Sequence, residues 1–152
     1  LAYALPDADP AELESRALAA LESLGLEGWL AVLPRGLDTP VGPRGELLSA
    51  GERQLVSITR AYLRDPDLLI LDEATSAVDP ASEVRISRAL EGLMSGRTAV
   101  VIAHRLSTAE RADVIAVMDH GELVEVGPHR DLVRAGGLYA DLHSAWVSQT
   151  RD

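Results

Sequence analysis

Leu68-Leu69-Ile70-Leu71-Asp72-Glu73 is an unbroken apolar run closed by two acids, and its reading decides the fold. With no polar alternation it is predicted to be a fully buried strand of a parallel sheet. Such a strand delivers Asp72 and Glu73 to its carboxyl end, where ligand sites of parallel α/β sheets lie. Shortly upstream stands Leu48-Ser49-Ala50-Gly51-Glu52-Arg53-Gln54. There Ser49 and Glu52 have the spacing of a helix capping box. A helix start offers free amides and a partial positive charge, which together favour phosphate. Gly51 has no side chain to block an approaching anion. The two segments in this order suggest nucleotide chemistry.

Working outward, Asp9-Pro10-Ala11-Glu12 reads as another helix start. Leu13, Ala17, Leu21 and Leu24 then recur at helical spacing, and Gly25 ends the run. A short helix is expected over Glu27–Leu33, a loop over Pro34–Gly45, and a third helix from near Ser49 to about Arg64. Asp65-Pro66-Asp67 breaks it. Asp79-Pro80 opens a helix whose Ile86, Ala89, Leu90 and Leu93 share one face, and Gly96 closes it. Thr98–Ala103 reads as a second buried strand, followed by His104. Asp113–Met118 and Glu122–Val126 are expected to pair across Asp119-His120-Gly121. Two short helices follow, near Pro128–Arg134 and Leu138–Ser148. A helical front half before alternating strands and helices is the pattern of an α/β layer. Three parts are expected: residues 1–64, 65–127 and 128–152.

Taken singly, each segment has a plainer meaning. Ser49 to Glu52 is a helix cap, acids commonly end strands, and a lone histidine at a strand end is usually structural. The functional alternatives are specific. Asp72 is a candidate ligand for Mg²⁺, which prefers oxygen. Glu73 is a candidate to orient or deprotonate an attacking water. His104 would leave the same sheet edge if the strands are parallel, and its imidazole can donate a hydrogen bond to a phosphate oxygen. His120, His129 and His143 fall in a turn and in expected surface helices, and receive no function.

The 152 residues suffice for one domain or part of one. The net charge of −10, from 24 acids and 14 bases, disfavours nucleic acid and anionic membrane surfaces as partners. Absence of cysteine excludes disulfides, zinc–thiolate sites and a thiol nucleophile. The longest apolar runs fall far short of the roughly 20 residues of a membrane helix. All basic residues are arginine, so the lysine-containing phosphate loop G-x-x-x-x-G-K-[ST] has no place in the chain. A start at Leu1 is taken as that of a piece of a longer polypeptide.

The joint order of these motifs resembles the C-terminal part of the nucleotide-binding domain of ABC transporters, especially exporters. Leu48–Gln54 resembles the ABC signature motif, with Arg60-Ala61 further along the same helix. Leu68–Asp72 resembles Walker B, with Glu73 as catalytic glutamate. Ser76-Ala77-Val78-Asp79 resembles the D-loop, and His104 the switch histidine of the H-loop. Thr39–Gly45 resembles the exporter x-loop, and Gly121–Gly127 and Gly136–Tyr139 are also exporter-like. Ala50 stands where the family has glycine, and Glu52 where it has glutamine.

The resemblance implies an α/β, partial P-loop NTPase (ABC ATPase) fold: a helical subdomain followed by part of a mainly parallel core sheet. It implies ATP and Mg²⁺, a second nucleotide-binding domain in a head-to-tail dimer, and the transmembrane domain of an exporter at the cytoplasmic face of the membrane. Leu48, Ser49, Ala50, Gly51 and Glu52 of the signature would face the partner's nucleotide, and Asp79 of the D-loop would also be nucleotide-binding. Asp72, Glu73 and His104 would serve the nucleotide on the chain's own Walker A, which is expected upstream. The chain alone is then expected to be inactive and marginally stable, with apolar surface exposed on the Leu69 and Val100 strands. Two other classes remain open: a non-catalytic regulatory half-site, which has no need of Glu73 and His104, and a soluble ABC ATPase of DNA-repair or chromosome-organising type, whose coiled-coil heptads are not seen.

Overall fold

The computed structural model describes residues 4–5, 7–72 and 79–149. The chain divides into two compact units, residues 1–100 and 101–152.

The first unit opens with α1, Pro10–Ser23, capped by Asp9, whose carboxylate accepts the Glu12 amide at 2.9 Å. Gly25 follows at φ +66°, the left-handed conformation that releases the chain from the helix. Then come α2, Glu27–Val32, two single helical turns at Gly36–Asp38 and Pro43–Gly45, and α3, Ala50–Leu63. β1 is Leu68–Asp72, α4 is Pro80–Met94, and β2 is Thr98–Ile102. α3 packs against both α1 and α4. Its buried positions Gly51, Leu55, Ile58, Thr59 and Leu63 recur at helical spacing and line one stripe. Thr59 is fully buried because its hydroxyl donates to the Leu55 carbonyl, 2.9 Å away. The core gathers Leu21, Leu24 and Leu26 with Trp29, Leu55, Leu69, Ile86 and Leu93.

β1 and β2 are hydrogen-bonded neighbours. The Thr98 amide, at the start of β2, donates to Asp67 O just before β1, at 3.3 Å. Start beside start means the strands run in parallel, and the crossover through α4 is the connection such a pair needs. Neither strand is fully buried, contrary to its unbroken apolar run. Leu69 is 5% exposed and packs on the helices, whereas Ile70 is 72% exposed. Leu68, Val100 and Ile102 are also more than half exposed. Only one face of the pair is covered among the described residues, so burial alternates along the strand with the pleat. The expected uncovered apolar surface on these two strands is therefore present.

The second unit contains a helical turn that its sequence did not announce: α5, Leu106–Glu110. β3, Ile115–Asp119, pairs antiparallel with β4, Glu122–Gly127, with Asp119 opposite Glu122. The turn between them places His120 at φ +46° and Gly121 at φ +85°, the signs of a type I′ hairpin. α6, His129–Ala135, ends on Gly136 at φ +68°. α7, Leu138–Gln149, begins two residues later. Its start is capped from a distance: the Glu125 carboxylate on β4 accepts the Leu138 amide at 2.6 Å and the Tyr139 amide at 3.1 Å. A Cβ at Gly137 would strike that carboxylate, so the cap requires glycine there. Ala109, Val117, Leu132 and Tyr139 form the core of this unit. Among the described residues no helix is long and apolar enough to cross a membrane.

Candidate nucleotide site

The first turn of α3 is organised by its own residues. Ser49 is extended, at φ −62° and ψ 165°, and its hydroxyl accepts the Glu52 amide at 3.2 Å. The Glu52 carboxylate turns back to accept the Ser49 amide at 2.8 Å, which completes the capping box. Its other oxygen lies 3.4 Å from the Trp29 indole nitrogen. The bond from the Ser49 backbone is the main cause that holds the Glu52 carboxyl below the usual glutamate range, followed by its bond to the Ser49 side chain. One residue upstream the Leu48 side chain is buried, and its carbonyl accepts the Arg53 guanidinium at 2.5 Å. Ser49 and Ala50 are exposed while Gly51 is buried against the unit. The Ala50 and Gly51 amides belong to the first turn, which has no carbonyl of its own helix to bond. The negative charge at Glu52 is thus held over its own cap, where it complements the partial positive charge of the helix start.

Asp72 closes β1 and is exposed. Glu73, and Ser76, Ala77 and Val78 with it, lie outside the described residues. Asp79 caps α4: its carboxylate accepts the Ser82 amide at 3.0 Å, and its bonds with Ser82 hold its carboxyl below the usual aspartate range. His104, in the second unit, follows β2 by two residues, is exposed, and precedes α5. The structure therefore brings Leu48 through Glu52 together as one capped turn, and places Asp72, Asp79 and His104 each at the end or start of an element.

Two residues that support this turn were not singled out from sequence. Arg53 lies within the motif, but its grip on the Leu48 carbonyl has no sequence signature. Trp29 comes from α2, 23 residues away, and no local pattern links it to Glu52. A cleft lined by Asp65, Pro66, Asp67, Gly96, Arg97 and Thr98 sits at the amino ends of β1 and β2, opposite Asp72. There Arg97 pairs with Asp65 at 2.6 Å, bonds the Leu93 carbonyl at 2.7 Å and lies over the Tyr62 ring at 5.0 Å. That arginine braces α3, α4 and the strand starts, and the cleft holds none of the candidate residues.

Residues 6–76 match the family model described as ABC transporter. The fold superposes on a bacterial Atm1-family ABC exporter with ATP bound, with a TM-score of 0.77 and 42% identity, over 97% of this chain and 25% of that one. The chain is closely related to the nucleotide-binding domains of ABC exporters. Its mixed α/β fold, a helical subdomain beside a small sheet, is that of the ABC ATPases. Two relatives are ATP-dependent lipid A-core flippases. That of Burkholderia orbicola (strain AU 1054) is 56% identical over 135 residues, 89% of this chain and 23% of the relative. That of Ralstonia nicotianae (strain ATCC BAA-1114 / GMI1000) is 50% identical over 143 residues, 94% and 24% respectively. The chain spans about a quarter of the length of the relatives it matches.

Proposed function

We propose that this sequence supplies two parts of a shared ATPase that drives transport by an ABC exporter. Leu48, Ser49, Ala50, Gly51, Glu52 and Asp79 face an ATP held by a second nucleotide-binding domain, packed head to tail. Asp72, Glu73 and His104 serve the ATP held on the domain's own phosphate loop. An exposed carboxylate at a strand end, offering only oxygen, fits a hard divalent cation, so Asp72 is assigned to hold Mg²⁺. When bound, that ion supplies neutralisation of the negative charge on the phosphates. Glu73 accepts a proton from the water that attacks the γ-phosphorus, while the bond to the bridging oxygen breaks and ADP leaves. His104 donates a hydrogen bond to a γ-phosphate oxygen and fixes its position. The intact protein works at the cytoplasmic face of the membrane, joined to its transmembrane domain. The names of the flippase relatives make lipid A-core the first cargo to test.

The strongest single support is the match to the ATP-bound exporter across 97% of the chain. The capping box adds the defined first turn of α3, whose Ala50 and Gly51 amides have no carbonyl of their own helix to bond.

In the intact protein, Glu73→Gln should retain ATP binding and slow hydrolysis by about 100-fold or more, the scale of general-base catalysis. Binding is read with a fluorescent nucleotide and hydrolysis by phosphate release. An unchanged turnover number removes Glu73 from the base role. The 152-residue chain by itself should hydrolyse ATP negligibly, because it carries no phosphate-loop lysine.

A further inference from the structure

Away from these segments, three helices of the second unit each direct one metal-binding side chain to a common point. Glu110 is the last residue of α5, His129 the first of α6, and His143 lies within α7. One ligand atom from each lies within 4.8 Å of the other two. Both histidines are partly buried, on helices that otherwise stand mostly at the surface. None of the three has a part in the ATP chemistry proposed above.

We infer that Glu110, His129 and His143 form a binding site for a divalent transition-metal ion of the zinc type, which ties α5, α6 and α7 together. Two imidazoles and one carboxylate are a zinc donor set, whereas Mg²⁺ selects oxygen. His143 Nε2 and Glu110 Oε1 are 3.5 Å apart. Two ligands at zinc bond lengths and a tetrahedral angle lie about 3.4 Å apart, so this edge of the site is already near its required length. The His129 ring is 5.2 Å from the His143 ring between centroids, tilted by 55°, and closes on the ion by a side-chain adjustment. Three protein ligands leave a fourth position for water.

The surroundings supply an outer partner of the kind that metal-bound histidines use. His129 Nδ1 is 2.8 Å from the Tyr139 hydroxyl, and Tyr139 is buried at the centre of this unit. An ion held through His129 Nε2 keeps that contact, with Nδ1–H donating to the phenol oxygen. The plainer account is an ion pair between His143 and Glu110 beside an aromatic cluster. It predicts no metal affinity, and the test separates the two.

The full chain, freed of metal with a chelator, is titrated with Zn²⁺ by calorimetry and with Co²⁺ by visible absorption. One ion should bind per chain, with the ligand-field bands of four-coordinate Co²⁺, and excess Mg²⁺ should not compete. Glu110→Gln and Tyr139→Phe, both close to isosteric, should weaken Zn²⁺ binding by about 10-fold or more with an unchanged circular dichroism spectrum. The double variant His129→Ala/His143→Ala should abolish the site, and His120→Ala should leave it intact. The absence of saturable Zn²⁺ binding overturns the inference. So does binding that survives the double histidine variant, or that is equally tight in Glu110→Gln and Tyr139→Phe.

Discussion

The start of α3 and the end of β1 carry the two halves of the proposed chemistry, and they are held by opposite means. At α3 the geometry comes from residues adjacent in the chain: Ser49 and Glu52 bond one another, and Arg53 holds the Leu48 carbonyl. At β1 the described hold comes from residues distant in the chain, in β2 and the helical core. Leu69 anchors one face in the helical core, while Leu68 and Ile70 on the other face stay open. A motif built on a helix cap can form from its own residues. One built on a strand edge depends on what covers the sheet.

Substitutions on the two elements should show this contrast in the 152-residue chain. Leu55, beneath the first turn of α3, is 1% exposed, and Leu55→Ala should cost about 2–5 kcal/mol in urea unfolding. Ile70→Ala on β1 should cost less than about 0.5 kcal/mol, because that side chain has little burial to lose. Equal costs at the two positions would mean that β1 is covered on both faces in solution. Ser49→Ala comes next, at about 1 kcal/mol, since it leaves the Glu52 amide without its capping oxygen. A loss well below that would show that the Glu52 back-bond alone sustains the turn.

The smallest effect concerns pH. The bonds to Ser49 hold the Glu52 carboxyl below the usual glutamate range in the folded chain, so the group binds fewer protons folded than unfolded at the same pH. Its contribution to stability is therefore complete above the unfolded glutamate pKa and is lost as pH falls through the lower folded value. Glu52→Gln should flatten that part of the pH–stability curve relative to wild type. An unaltered acid limb would leave the capping carboxylate without a stabilising role.

Most helices were legible because their caps and periodicities are local. Asp9, Ser49 and Asp79 each cap the helix that their sequence announces, and Gly25, Gly96 and Gly136 each adopt the left-handed conformation that ends one. The hairpin was legible for the same reason, through His120-Gly121. The apolar runs alone overstate the burial of β1 and β2, because such a run says what a strand can bury, not whether a neighbour is present to cover it; the exposed face was expected only through the family resemblance. α5 escaped notice because five residues are too few for a helical period to show. In the candidate site, motif order singled out Ser49, Glu52 and Asp72 as candidates, but the Trp29 contact to Glu52 joins residues far apart in sequence and has no pattern to read. The cluster of Glu110, His129 and His143 was hidden likewise, since only the packing of three helices assembles it.

The Glu125 cap also bears on the order in which the second unit assembles. α1, α3 and α4 bring their own caps and can begin to coil as soon as their residues are free to do so. α7 draws its cap from β4, 13 and 14 residues earlier in the chain. Its first turn gains that carboxylate only when the chain from β4 to α7 has folded back to bring Glu125 beside it. The last helix is thus a reporter on that fold-back: its leading amides should exchange with solvent at the rate at which β4 and the start of α7 come apart.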